Sequence, residues 1–332
     1  MFDYNFDYNN FLNTDTFLKI SEMKTLYPER IQSEADARPR FSINKNKLII
    51  VAADHNARMI CGYRNNPIRL ANRQEYLSRL IRVLLSPLVT GVESTPDIIE
   101  DLFAINILLK AEYGIDILRD RVLIGTINRG GLKGSVWEMD DRPCCFTLER
   151  IKALGLNGAK FMLRLNPYQD DCRYTLTYCS DAINEAFNLG TNIFIEILFV
   201  EGDEEIGYTI NKDVESIVKS VGVVSALGCS SLNKYLELPI NKNYIDTVTA
   251  STCPVLVVPD EREFEDLEVV REYTEQSSLS KQVKGILLGR NVLFSDSDPV
   301  VIAHAIACGW QFGLSLSDSM IHAKELNILE CI

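Results

Sequence analysis

Eight short apolar runs alternating with longer amphipathic stretches constrain this chain more than any other feature. The runs are Leu48–Ala53, Val89–Glu93, Val122–Ile127, Gly158–Leu165, Ile193–Val200, Tyr235–Ile240, Val255–Val258 and Val283–Leu288. Between most of them the helical period recurs, as in Arg73–Leu85, Thr95–Leu109, Leu148–Leu154, Tyr174–Leu189, Asn211–Ser220 and Glu263–Glu275. Strands alternating with helices of this length make βαβ units and a parallel sheet. Eight units over about 250 residues are what a (β/α)8 barrel requires. A doubly wound open sheet would bring a GxGxxG turn near its first strand, and this chain has AADHNAR there.

Composition narrows the partners. Of 332 residues, 46% are hydrophobic and 24% charged, ordinary for a globular protein with one large core or two smaller ones. A formal net charge of -12 argues against nucleic acid or an anionic membrane as partner. No apolar run reaches the roughly 18 residues that span a bilayer. The start, MFDYNFDYNN, lacks the basic-then-apolar order of a signal peptide. The nine cysteines are irregularly spaced without a CxxC pair, which favours a reducing cytoplasm over a disulfide framework or a zinc site. Residues 1–46 read as an N-terminal extension and residues 47–332 as the barrel. In the extension, Asp15–Tyr27 can form a helix that Pro28 would stop. Its aromatic residues Phe2, Tyr4, Phe6, Tyr8 and Phe11 suit either a homo-oligomer interface or a loosely packed tail.

A barrel carries its chemistry at the C-terminal ends of the strands, and inward residues alternate along each strand. The first run ends in Asp54-His55 and the third in Asn128-Arg129. The fourth, GAKFMLRLN, puts Lys160, Met162 and Arg164 on one face. The fifth and sixth carry Glu196 and Glu237 inside apolar surroundings, and the last runs into Gly289-Arg290-Asn291. Charges in buried strands must be paired. Lys160, Arg164, Glu196 and Glu237 are therefore expected to form one internal network, either structural or catalytic. Asp54 would be a proton carrier or a helix cap. Arg290 and the amides around Gly289 would hold a phosphate or carboxylate, or Arg290 would close the barrel with a salt bridge. His304 and His322 read as structural or surface residues. His55 is the one histidine near a strand end and no HxH or HExxH pairing occurs, so neither metal nor other cofactor is expected.

The segment GTINRGGLKGSVWEMDDR, 125–142, crowds Asn128, Arg129, Lys133, Glu138, Asp140, Asp141 and Arg142 behind the third run. An ordinary connector needs no such concentration. Taken with AADHNAR, GAKFMLRLN, the Glu196 run and GILLGRNVLF, this segment resembles a bacterial branch of the class I aldolase superfamily. That branch is similar to deoxyribose-phosphate and tagatose-bisphosphate aldolases and is associated with inositol catabolism. The resemblance spans roughly residues 40–310. It implies a (β/α)8 barrel and carbon–carbon bond chemistry on a small carbonyl or sugar-like substrate through a lysine Schiff base. It also implies a homo-oligomer.

The resemblance breaks at one position. The Schiff-base lysine of such enzymes lies on the sixth strand, where this chain has Glu237. Lys234 is three residues away and points to the opposite face of a regular strand, while Tyr235 shares the face of Glu237. The remaining amine is Lys160, which matches a lysine that the family also places in the site. In an aldolase reading, Lys160 is the nucleophile, and Asp54, Glu196 and Glu237 carry protons. His55, Asn128, Arg129, Arg164, Gly289 and Arg290 then bind substrate. The alternatives are a metabolite-binding or regulatory barrel without Schiff-base chemistry, or an isomerase or acyl-transfer enzyme with Glu237 as base. The seventh run continues as Val258-Pro259-Asp260-Glu261-Arg262 and stays acidic to Glu268, which divides the phosphate expectation and leaves a substrate without phosphate at least as well suited as a phosphorylated one.

Overall fold

The computed structural model describes residues 10–40, 43, 47–258 and 265–325. Phe2, Tyr4, Phe6 and Tyr8 and the acidic segment 259–264 lie outside the described residues. The chain opens with helices α1 (Thr14–Leu26) and α2 (Pro28–Ala37). Pro28 does not simply end a helix. It begins α2 at a first-turn position, where its missing N–H costs nothing. Phe11 is buried and meets Tyr113 edge-on at 5.9 Å, and Arg38 donates to Asn157 Oδ1 at 2.8 Å. This part of the extension is therefore tied to the rest of the chain.

The body then alternates strands and helices. Its first half is β1 (Leu48–Ala53), α3 (Arg73–Leu84), β2 (Gly91–Ser94), α4 (Pro96–Tyr113), β3 (Val122–Thr126), α5 (Leu148–Ala153) and β4 (Gly158–Leu165). There follow α6 (Cys172–Leu189), β5 (Asn192–Asp203), β6 (Gly207–Asn211), α7 (Val214–Ala226), β7 (Lys234–Pro239), α8 (Tyr244–Thr249) and β8 (Val255–Val258). The last elements are α9 (Asp266–Ser278), β9 (Val283–Leu288), α10 (Arg290–Leu293), α11 (Pro299–Phe312) and α12 (Leu316–Lys324). Eight strands pair in parallel in the cyclic order β1, β2, β3, β4, β5, β7, β8, β9, and the β9–β1 and β4–β5 pairings close the ring. The fold is a (β/α)8 barrel. None of the described helices is long and apolar enough to cross a membrane.

Strand parity divides the core. Leu48, Ile50 and Ala52 of β1 face inward with Ile124, Phe194, Leu256 and Leu287, while Ile49, Val51 and Ala53 pack outward against the helices. Inside the barrel Phe194 stacks on Tyr235 at 4.6 Å. One strand, β6, stands outside the eightfold pattern. β5 is twelve residues long and its upper half turns back as β6, pairing antiparallel from Phe199–Asn211 to Asp203–Gly207. This hairpin stands over the C-terminal mouth of the barrel.

Candidate active site

Register brings the charges together. Met162 pairs with Glu196 across β4–β5, Glu196 pairs with Glu237 across β5–β7, and Ala52 pairs with Glu93 across β1–β2. Lys160 enters this ring with 2% of its surface exposed. Its Nζ lies 2.6 Å from Glu93 Oε1, 2.7 Å from Glu196 Oε2, 3.4 Å from Asp54 Oδ2 and 3.9 Å from Glu237 Oε2. Asp54 also accepts from Thr126 Oγ1 at 2.9 Å and pairs with the Arg129 guanidinium. Its side chain caps no helix, although its backbone precedes the 3-10 turn His55–Arg58.

The expected single network is in fact two. Arg164 belongs with the loop after β3, where its Nη1 meets Glu138 Oε1 at 2.9 Å and its Nη2 meets Asp141 Oδ2 at 3.4 Å. Arg58 joins through Glu138 Oε1 at 3.4 Å and Gly131 O at 2.9 Å. Met162 Sδ separates the clusters and receives Arg58 Nη1 at 3.2 Å and Arg129 Nη1 at 3.6 Å. A Cβ on Gly131 would strike the Arg164 guanidinium and the Glu138 carbonyl, so that glycine makes room for the cation. Within the same loop Asp140 and Arg142 pair with each other at 2.8 Å on the surface.

The pocket at the mouth is lined by Asp54, His55, Arg129, Lys160, Arg164, Glu196, Gly289 and Arg290, among others. Two expected site residues stand behind this lining. Asn128 spans the strands, its Oδ1 accepting from Met162 N and its Nδ2 donating to Met162 O, both at 2.8 Å. It positions β4 rather than facing the pocket. Glu237 is fully buried below Lys160. Lys234 faces away, as its strand position requires, and donates to the carbonyls of Val224, Ser225 and Leu227 at the end of α7. The amide of Gly289 donates to Tyr273 Oη at 3.1 Å, so it serves the barrel wall rather than an anion. The hairpin contributes Val200, Tyr208, Thr209 and Ile210 to the pocket, and Lys133 Nζ fastens it by donating to Tyr208 O at 3.0 Å.

Electrostatics fixes the protonation of the floor. Burial opposes the Lys160 ammonium, but Glu196 and Glu93 outweigh it and leave the pKa raised. The cation that works against them is Arg129, not Arg164. Burial would likewise raise Glu196, yet Lys160 and Arg129 hold it below its ordinary value. Glu237 goes the other way. Burial first, then the adjacent Glu93, push it well above the carboxylate range and favour its protonated form, which shares a hydrogen bond with Glu93. The floor thus sets the Lys160 ammonium against Glu196, whose lowered pKa favours the ionised form, above Glu237, whose raised pKa favours the neutral one. The raised pKa works against the ionised form that Glu237 would need as a base and suits a carboxyl that donates its proton.

A pH test follows from Glu237. Below its ordinary pKa of 4.5 the group is protonated whether folded or unfolded. As pH rises past that value the unfolded chain releases the proton and the folded one keeps it. Stability therefore falls with rising pH until the raised native pKa is passed. Glu237→Gln keeps the neutral shape and removes the titration. Urea denaturation between about pH 5 and pH 8 should show a smaller loss of stability in the variant than in the parent. Parallel pH profiles would contradict the assignment.

Residues 46–308 match the Cgl0159-like family. The chain belongs to that family. The crystal structure of Cgl0159 from Corynebacterium glutamicum is similar at TM-score 0.83 and 26% identity, covering 92% of this chain and 99% of the other. A fructose-bisphosphate aldolase from Slackia heliotrinireducens superposes at TM-score 0.57 and 12% identity, over 96% of this chain and 94% of the aldolase. An archaeal fructose 1,6-bisphosphate aldolase does so at 0.54 and 15%, over 86% and 100%. These two likenesses establish an aldolase-type barrel fold. A comparison with curated proteins finds no match.

Three site residues escaped the sequence reading. Glu93 falls at the end of its apolar run, whereas the strand starts two residues later than that run, at Gly91, and carries Glu93 inside it. A carboxylate directly behind Gly-Val was the available signal. Glu138 stood out only as one charge among several in its loop. Arg58 leaves a 3-10 turn with no periodicity to aim it inward.

Proposed function

We propose that the chain is an aldolase-type lyase that makes or breaks a carbon–carbon bond beside the carbonyl of a small, sugar-like metabolite. The observation that carries this reading is the Lys160 amine on the pocket floor, within 2.7 Å of both Glu93 and Glu196. Those carboxylates can take the ammonium proton when a carbonyl enters. The freed amine then attacks the carbonyl carbon, and water leaves the carbinolamine as the iminium forms. In the cleavage direction, Asp54 or Glu196 removes the proton of the β-hydroxyl. The carbon–carbon bond breaks, and its electrons move into the iminium to give an enamine. Protonation and hydrolysis of the enamine restore Lys160. Arg129 would orient the substrate oxygens and counter the buildup of negative charge. Seven Lys or Arg side chains line the pocket against three Asp or Glu, which supports a substrate bearing a carboxylate or phosphate. Within this class the reading retains kinship to deoxyribose-phosphate and tagatose-bisphosphate aldolases and the link to inositol breakdown that the loop motif implies.

The raised pKa of Lys160 favours a second reading, in which the ammonium acts as an acid and no covalent adduct forms. The reaction would then be an isomerisation or acyl transfer, or the barrel would only bind its metabolite. Borohydride reduction in the presence of a panel of hydroxyaldehydes, hydroxyketones and keto acids separates the readings. The lyase reading expects a reduced adduct on the peptide containing Lys160. Turnover of any panel member without an adduct would select the noncovalent route, and binding without turnover would select the metabolite-binding barrel.

A further inference from the structure

We propose that His304, Cys308 and His322 form a transition-metal site of the zinc class that joins α11 to α12. His304 and Cys308 are four residues apart and so share one face of α11, and His322 comes from α12. The chain folds back between the helices to bring the three donors together, and their ligand atoms lie within 4.8 Å of one another. None of the three lines the pocket described above.

The separations suit a common ion. His304 Nε2 is 3.2 Å from His322 Nδ1, and Cys308 Sγ is 3.5 Å from the same nitrogen. A tetrahedral zinc with bonds of about 2.0–2.1 Å to nitrogen and about 2.3 Å to sulfur spaces its ligands roughly 3.3–3.6 Å apart. Two imidazoles and a thiol, with no carboxylate among them, select zinc or a similarly soft ion over magnesium or calcium. His304 is also oriented from behind. Its Nδ1 lies 2.9 Å from Ser86 Oγ, and that oxygen is itself held by the Leu88 amide at 3.3 Å, which leaves Nε2 to face the other two donors. His304 and Cys308 are buried while His322 is exposed, so an ion can enter from the His322 side.

The two rings lie 5.3 Å apart, within 6° of parallel, and their facing nitrogens share a hydrogen bond. The ion would take the place of that hydrogen, with the His322 proton moving to its outer Nε2, and would release the thiol proton of Cys308 to solvent. The exposed His322 ring would turn to bring its lone pair onto the ion. Water would complete the fourth position. Such a site makes metal binding a source of stability for the last two helices.

The test uses the full-length, untagged chain, stripped with a chelator and dialysed. Titration with Zn2+ against a chromophoric chelator should show one tight equivalent, and Co2+ should produce a thiolate charge-transfer band. Cys308→Ser should lose the band, and His322→Ala, at an exposed position, should lose the stoichiometric binding while remaining folded by circular dichroism. Ser86→Ala removes the orienting hydrogen bond together with the Leu88 amide contact, leaves all three ligands in place, and should weaken binding about 10- to 100-fold. Absence of a tight equivalent in the parent chain would overturn the proposal. So would a thiolate band that persists in Cys308→Ser, which would place the metal on other cysteines.

Discussion

Replacing Lys160 with methionine should destabilise the protein by about 3–5 kcal/mol, because it strands buried carboxylates without their counter-ion. Glu93 and Glu196 are both within 2.7 Å of the ammonium, and among the described residues Asp54 keeps Arg129 alone as an ion-pair partner when it is gone. Methionine fills much of the lysine volume, so the loss reports charge rather than a cavity. The stranded carboxylates can recover part of the cost by taking up protons. The destabilisation should therefore grow as pH rises above about 5. Equilibrium urea denaturation at two pH values measures it. A loss below about 1 kcal/mol would mean that the ammonium is not essential to the stability of the barrel floor. The same variant should lose any turnover that depends on the Lys160 amine.

The second large effect belongs to Glu138. One carboxylate there receives Arg164 and Arg58 and also accepts the Gly134 amide at 2.7 Å. Glu138→Ala leaves two buried guanidiniums short of an anion, with Asp141 the remaining carboxylate near Arg164. Burial already lowers the pKa of Arg164 to about 10, so its environment has little tolerance for losing the acid that compensates it. A destabilisation of about 3–5 kcal/mol is expected, with earlier proteolytic cleavage between residues 129 and 142 than in the parent chain. If Asp141 alone neutralises the pair, the loss will be near 1 kcal/mol and the cleavage pattern unchanged.

The barrel was legible because its eight strands are apolar and separated by amphipathic segments of helical length. Four strands, Leu48–Ala53, Gly158–Leu165, Val255–Val258 and Val283–Leu288, coincide with their apolar runs end to end. The hairpin strand Gly207–Asn211 was not legible. Its sequence, GYTIN, follows a run of acids and glycines and is largely exposed, so it carries no burial signal of either period. For the site, strand parity was sufficient to place Lys160, Glu196 and Glu237 on the interior and to turn Lys234 outward. Parity could not say which cation meets which acid. That depends on the stagger between strands and on loop conformation, and it is why Arg164 answers to Glu138 rather than to Glu196. The pairing of His304 with His322 was hidden for the same reason, since it is created by the angle between two helices.

The long fifth strand has a geometric consequence. Glu196 at the barrel floor and Val200 under the hairpin belong to one continuous strand, four residues apart. At about 3.3 Å per residue that fixes roughly 13 Å between the acid–base floor and the overhang. A molecule reaching the amine must fit beneath a ceiling built on the same girder as the floor. The spacing between floor and overhang is therefore set by the covalent length of one strand, and substitutions at Tyr208 or Ile210 act on the overhang side chains without moving that strand.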